Sequence, residues 1–137
     1  LGYFMNSQAF LSPNGFPPRL WGPLCWKFSH LVTANYPLRP SARDAEAYYT
    51  YFQSLCSILP CKECRKEFCK IVRSSTDTLR LRKSIFTQKK GDPPGTARKR
   101  LFTWFVRVHA KVNRRLKKSY PRDPQFWATV YASKRRV

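Results

Sequence analysis

The sequence predicts an all-α fold, a four-helix bundle with a short fifth helix and an irregular N-terminal arm. Three observations carry that prediction. Apolar residues recur every three or four positions over several long stretches, and none of these alternates strictly as a strand would. The eleven prolines cluster between these stretches, where they punctuate helices rather than forbid them. At 137 residues, with 42% hydrophobic and 15% aromatic content, the chain is the size of one well-filled domain.

Residues 1–18 are rich in Asn, Ser, Pro and Gly and read as the arm; Leu1 is not a natural initiator, so Met5 is the expected start, with residues 1–4 added ahead of it. Residues 19–133 form the helical domain. Its first helix, about 20–36, is apolar almost all round (Trp21, Leu24, Cys25, Trp26, Phe28, Leu31, Val32), with Pro23 in its first turn. A helix of that kind is expected at the centre, covered on several sides. Residues 42–59 follow, opened by Ser41, Asp44 and Glu46 and carrying Ala45, Tyr48, Tyr49, Phe52, Leu55, Cys56 and Leu59 inward. Pro60 breaks that run, and a third helix starts near Cys61 with Cys64, Phe68, Ile71 and Val72 on its inner side. Residues 74–97 read as a long loop with a short helix around 79–86. The clearest helix spans 98–118. Leu101, Trp104, Phe105, Val108, Val112 and Leu116 make its stripe, and Arg107, Lys111, Arg114, Arg115 and Lys117 lie off it. Pro124 opens the last helix, with Phe126, Trp127, Val130 and Tyr131, and residues 134–137 are a basic tail.

Twenty-seven basic against seven acidic residues give a formal net charge of +20, which attracts polyanions and acidic protein surfaces without choosing between them. The helical charges lie opposite an apolar stripe and read as solvated surface; the tail leaves nucleic acid open as a partner. No apolar run approaches the roughly 20 residues that span a bilayer, and no charged-then-apolar leader is visible, so a soluble protein without membrane attachment is expected.

Five cysteines, an odd and uneven set (Cys25, Cys56, Cys61, Cys64, Cys69), point away from a secreted disulfide scaffold and toward redox or metal chemistry. Cys61 and Cys64 are three apart, which on a helix puts both sulfurs on one face within bonding reach. Pro60 sets the helix start just before them, where unpaired backbone N–H groups and the dipole favour a thiolate, as do Lys62, Arg65 and Lys66. Zinc would need two further ligands from Cys25, Cys56, Cys69, His30 and His109; no second close cysteine pair exists, so no metal site is expected. His109 and Asn113 sit one turn apart on the apolar face of the long helix, and His30 follows Trp26 by one turn. Two polar groups on such a face suggest a polar ligand inside the bundle, although each could instead satisfy a neighbouring backbone group. Trp21, Trp26, Tyr36 and Trp104 would serve either as plain core or as walls for a flat heteroaromatic cofactor.

In this order these residues resemble the Erv/ALR sulfhydryl oxidases, above all those of large cytoplasmic DNA viruses. The motifs are Trp21-Gly22-Pro23, then Trp26, His30 and Tyr36-Pro37, then Pro60-Cys61-Lys62-Glu63-Cys64 with Phe68, then Trp104 and the run from His109 through Val112, Asn113 and Leu116 to Lys118. The resemblance implies a flavin-linked enzyme that binds FAD at the mouth of the bundle and forms a homodimer. Trp21, Trp26, His30 and Tyr36 would line one side of the flavin and its adenosine; His109, Val112, Asn113, Leu116 and Lys118 would supply the other. Cys61 and Cys64 would be the catalytic pair, Cys64 against the isoalloxazine and Cys61 attacked by thiol-containing protein substrates, with molecular oxygen as final acceptor and hydrogen peroxide as product. Ala110 departs from the family's second His-Asn residue, Leu59 stands where Tyr often precedes Pro-Cys, and the structural disulfide of cellular members has no counterpart. That points to a host cytoplasm or virion, or the mitochondrial intermembrane space for a cellular protein. The alternative is a non-enzymatic, basic nucleic-acid-binding module, zinc-stabilised or not.

Overall fold

The computed structural model describes residues 5–119 and 121–136. Residues 1–4, and with them the expectation that they precede the natural start, lie outside the described residues. Among the described residues there are five α-helices, α1 (Pro18–Ala34), α2 (Ala42–Ile58), α3 (Lys62–Arg73), α4 (Thr96–Arg115) and α5 (Pro124–Ala132), with a 3-10 turn at Lys83–Ile85 and no strand beyond an isolated bridge. The all-α bundle with a short fifth helix is therefore the observed architecture. None of these helices is long and apolar enough to cross a membrane.

Local chemistry explains each boundary. Pro18 sits at the first helical position of α1, so the helix begins earlier than Leu20, and Pro23 falls inside it rather than in its first turn. Ser41 caps α2 by accepting from the Asp44 N–H, while the Asp44 carboxylate accepts from the Ser41 N–H, a reciprocal capping box. Asp123 accepts from the Gln125 N–H to open α5. The 79–86 helix expected from the sequence is only the three-residue turn at Lys83–Ile85, held by Arg100, whose guanidinium donates to the carbonyls of Ser84 and Thr87. The long helix stops at Arg115, short of Lys118. There Lys117 takes a left-handed φ of 56°, its N–H bonds to the Arg114 carbonyl, and the Lys118 N–H returns to the Asn113 carbonyl. This is a Schellman ending with lysine in the place usually given to glycine.

Helix α1 packs along α4, α2 along α3, and α5 closes over α4 and α1. The two pairs join through aromatic rings: Phe52 of α2 meets Trp104 and Phe105 of α4 at 5.4 and 5.2 Å. Around them Leu55, Phe68, Ile71, Val72, Phe86, Leu101 and Val108 complete one buried cluster. The tertiary arrangement corrects one expectation. Helix α1 is not central: it buries the small and polar Gly22, Ser29, His30 and Thr33, and exposes Leu20, Leu24, Phe28 and Leu31 along a single face.

Candidate active site

Pro60 turns the chain sharply between α2 and α3, and Cys61 becomes the N-cap of α3, its sulfur accepting from the Cys64 N–H at 3.3 Å. The two residues are joined as a disulfide, with Cα atoms 5.2 Å apart. Both are half-buried, but Cys64 packs on the aromatic core while Cys61 faces the N-terminal arm. At this helix start, the N–H dipoles favour whichever sulfur becomes a thiolate. Arg65 contributes less than its sequence position suggests, because its guanidinium donates to the Leu59 carbonyl at 2.6 Å.

The arm borders the disulfide directly. Gly15 bridges Cys61, the Phe16 N–H donates to the Pro60 carbonyl at 2.7 Å, and the Trp21 indole N–H donates to the Phe16 carbonyl at 3.0 Å. Gly15 has a φ of 82°, and a Cβ there would stand 2.4 Å from the Pro60 oxygen, so only glycine fits. Sequence reasoning missed this contact. Its one signal was the Asn14-Gly15 pair, a turn dipeptide whose partner lies more than forty residues away and is set by the fold.

A second focus lies where α1, α4 and α5 meet. His30 Nε2 and His109 Nδ1 are 2.9 Å apart, and both residues are buried. Burial pulls His30 down to about 4; burial, then His30 and Lys118, pull His109 to about 3. Both rings are thus neutral at pH 7, one donating and the other accepting. Trp26 lies flat on His109 with centroids 3.8 Å apart, Trp127 and Tyr131 of α5 stack over His30, and Phe105 meets it edge-on. Asn113 is buried one turn beyond His109, with Val112 half-buried beside it.

The fold therefore gathers Trp26, His30, His109 and Asn113, and sets Trp21, Trp26, Val112 and Cys64 against one core cluster. Two other residues singled out in the sequence stand in different surroundings. Tyr36 is fully buried within that same core cluster: its hydroxyl donates to the Phe86 carbonyl at 2.7 Å, and its ring meets Tyr48 and Phe86 edge-on. Leu116 is exposed, because the helix ends there. Trp127 and Tyr131, placed by the sequence in the last helix without a role at the site, line the imidazole pair. The zinc-stabilised alternative finds no ligand set, since no group of three or more His, Cys, Asp or Glu among the described residues is arranged to hold a metal.

The molecule is thus a small all-α bundle with a Cys-x-x-Cys disulfide at a helix start, backed by an aromatic core. The family model described as "Erv1 / Alr family" matches residues 24–132, and the chain belongs to that family. A relative from Acanthamoeba polyphaga mimivirus, named "Probable FAD-linked sulfhydryl oxidase", is 33% identical over 96 residues, covering 70% of this chain and 58% of the relative. The mitochondrial FAD-linked sulfhydryl oxidase of Saccharomyces cerevisiae is 28% identical over 107 residues, covering 77% of this chain and 47% of the relative. The chain thus spans about half the length of these relatives. Its fold is similar to the crystal structure of the yeast Erv1 core, with a TM-score of 0.62 at 24% identity over 89% of each chain. It is also similar to a double cysteine-to-serine mutant of Saccharomyces cerevisiae Erv1, with a TM-score of 0.66 at 21% identity, covering 96% of this chain and 97% of that one.

Proposed function

We propose that this chain is an FAD-linked thiol oxidase that forms disulfides in protein substrates through Cys61 and Cys64. The observation that carries the reading is the Cys61–Cys64 disulfide at the start of α3, with Cys64 on the core that also takes Trp26 and Val112. A substrate thiolate attacks the Cys61 sulfur, the Cys61–Cys64 bond breaks, and Cys64 leaves as a thiolate stabilised by the α3 N-terminus. A second substrate thiolate then attacks its own sulfur in the mixed disulfide and releases Cys61. The substrate ends as a disulfide and the chain as a dithiol.

The residues present fit FAD. Trp26 and His109 offer flat faces, the two neutral imidazoles offer both donors and acceptors, and Asn113 adds a buried amide. Lys118, close enough to depress His109, would stand toward the pyrophosphate. Trp21 would flank the ring from the arm side, and Tyr36 and Leu116 would complete the lining that the family motifs imply. When bound, FAD supplies two-electron acceptance from the dithiol and delivery to oxygen, giving hydrogen peroxide. The Trp26–His109 contact must open or slide to admit a tricyclic ring.

The exposed face of Leu20, Leu24, Phe28 and Leu31 supports a homodimer, since a contiguous apolar helix face is a liability in a free monomer. Relatives named from a virus and from mitochondria fit either a virion and host-cytosol setting or an intermembrane-space one. The absorbance spectrum of the purified protein, before and after dithiothreitol, tests the reading. A flavin band that bleaches with the dithiol and returns in air is expected. Cys61→Ser and Cys64→Ser are each expected to keep the flavin and lose at least a hundredfold in dithiol-driven oxygen uptake. A colourless protein that takes up no added FAD rules the reading out.

A further inference from the structure

Away from the Cys61–Cys64 site the molecule carries a second pair of sulfurs. Cys56 lies in the last turn of α2 and Cys69 in α3, the two helices that fold back on each other at the Pro60 corner. Both are free thiols. The Cys69 sulfur lies 3.8 Å from the Cys56 carbonyl oxygen. Burial first, and the neighbouring Cys69 thiol second, push Cys56 up to about 12. The pair is asymmetric. Cys56 is buried against the core, whereas Cys69 is half-exposed at a shallow depression lined by Lys66, Lys70, Arg73 and Ser74. Glu67 pairs with Lys70 at 3.4 Å and also takes Arg115, which leaves Lys66 and Arg73 uncompensated by it. The depression is therefore cationic, with one accessible sulfur at its wall and a second sulfur behind it.

We propose that Cys56 and Cys69 are a second redox site, which an anionic low-molecular-weight disulfide such as oxidised glutathione converts to an intrachain disulfide stapling α2 to α3. The carboxylates of such a reagent match Lys66, Lys70 and Arg73, which would hold its sulfurs at the Cys69 wall of the depression. Cys69, its proton passed to water, attacks one glutathione sulfur; the glutathione S–S bond breaks and the first glutathione leaves as a thiolate, which water protonates. Cys56 loses its proton to hydroxide as it attacks the Cys69 sulfur, the mixed disulfide breaks, and the second glutathione leaves and is protonated by water. Two cysteine thiols are oxidised to one disulfide, and one glutathione disulfide is reduced to two thiols. The inference does not rest on the thiol-oxidase reading, because neither Cys61, Cys64 nor a flavin takes part.

The test uses the full chain carrying Cys61→Ser and Cys64→Ser together, so that only Cys25, Cys56 and Cys69 remain; serine at position 61 keeps a side chain able to cap α3. The protein is incubated with oxidised glutathione, alkylated without reduction, and digested with trypsin. The expected product, from the monomer band of a non-reducing gel, links peptide 44–62 to peptide 67–70, with Cys25 alone alkylated. The unfolding midpoint should rise on the order of 10 °C, fall back with dithiothreitol, and stay unchanged in a further Cys69→Ser variant. Alkylation of all three thiols, or a glutathione adduct that persists on Cys69, overturns the proposal. So does a linked protein that melts lower than the dithiol.

Discussion

His30 Nε2 and His109 Nδ1 stand 2.9 Å apart and buried, so a proton added to either ring meets both burial and its neighbour. Their folded values, about 4 and about 3, lie below the ordinary imidazole value of 6.5, so the unfolded chain binds more protons across that window. The stability they contribute is complete above pH 6.5 and drains away as the pH falls toward 4. Urea unfolding of flavin-free protein should therefore lose up to about 2 kcal/mol per imidazole between pH 7 and pH 5. Asp44, held low by its Ser41 hydrogen bonds, titrates beneath this window, so a flat profile from pH 7 to 5 would mean that the rings are hydrated. At the same scale, Gly15→Ala places a methyl group on the Pro60 carbonyl in a left-handed backbone. Limited proteolysis ahead of Pro18 should accelerate severalfold while the helical core stays intact, because the change costs about 1–2 kcal/mol at the arm alone.

Helix ends show how unevenly a sequence advertises its own boundaries. Ser41 with Asp44, Pro124 after Asp123, and Pro60 before Cys61 are chemical stop and start signals, and α2, α3 and α5 begin where they stand. The end of α4 carries no such signal. Its apolar period runs on to Leu116, but the Schellman turn stops the helix at Arg115 with a lysine at φ 56°. Lys117→Gly relieves that strain and should raise stability by roughly 0.5–1 kcal/mol in chemical denaturation, the reverse of glycine's usual effect near a helix. Lys117→Pro, whose φ cannot become positive, should lower it.

At the scale of the whole molecule, the exposed face of α1 is the feature a monomer does not explain. Leu20, Leu24, Phe28 and Leu31 are between 42% and 72% exposed, in a chain whose net charge of +20 otherwise keeps copies apart. A dimer through α1 would cover them. Sedimentation of Leu24→Glu is expected to give a monomer with an unchanged helical spectrum, while wild type sediments as a dimer. A wild-type monomer at micromolar concentration would remove that assembly without touching the redox site.

Period and punctuation alone determined that this chain is helical, where most helices begin, and that Cys61 and Cys64 share a helix start. These are properties of neighbouring residues, and spacing along the chain encodes them directly. The family motifs also singled out Trp26, His30, His109 and Asn113, which do converge. Only the tertiary structure decided which polar residues meet: His30 faces His109 across 79 positions, while Tyr36, a few residues past His30, turns into the core and donates to the Phe86 carbonyl. It also decided that α1 shows its apolar side to solvent, that Gly15 seals against Pro60, and that Cys56 and Cys69 adjoin. Each of these depends on how separate helices are stacked, a choice made by the summed burial of many side chains, and no local pattern records it.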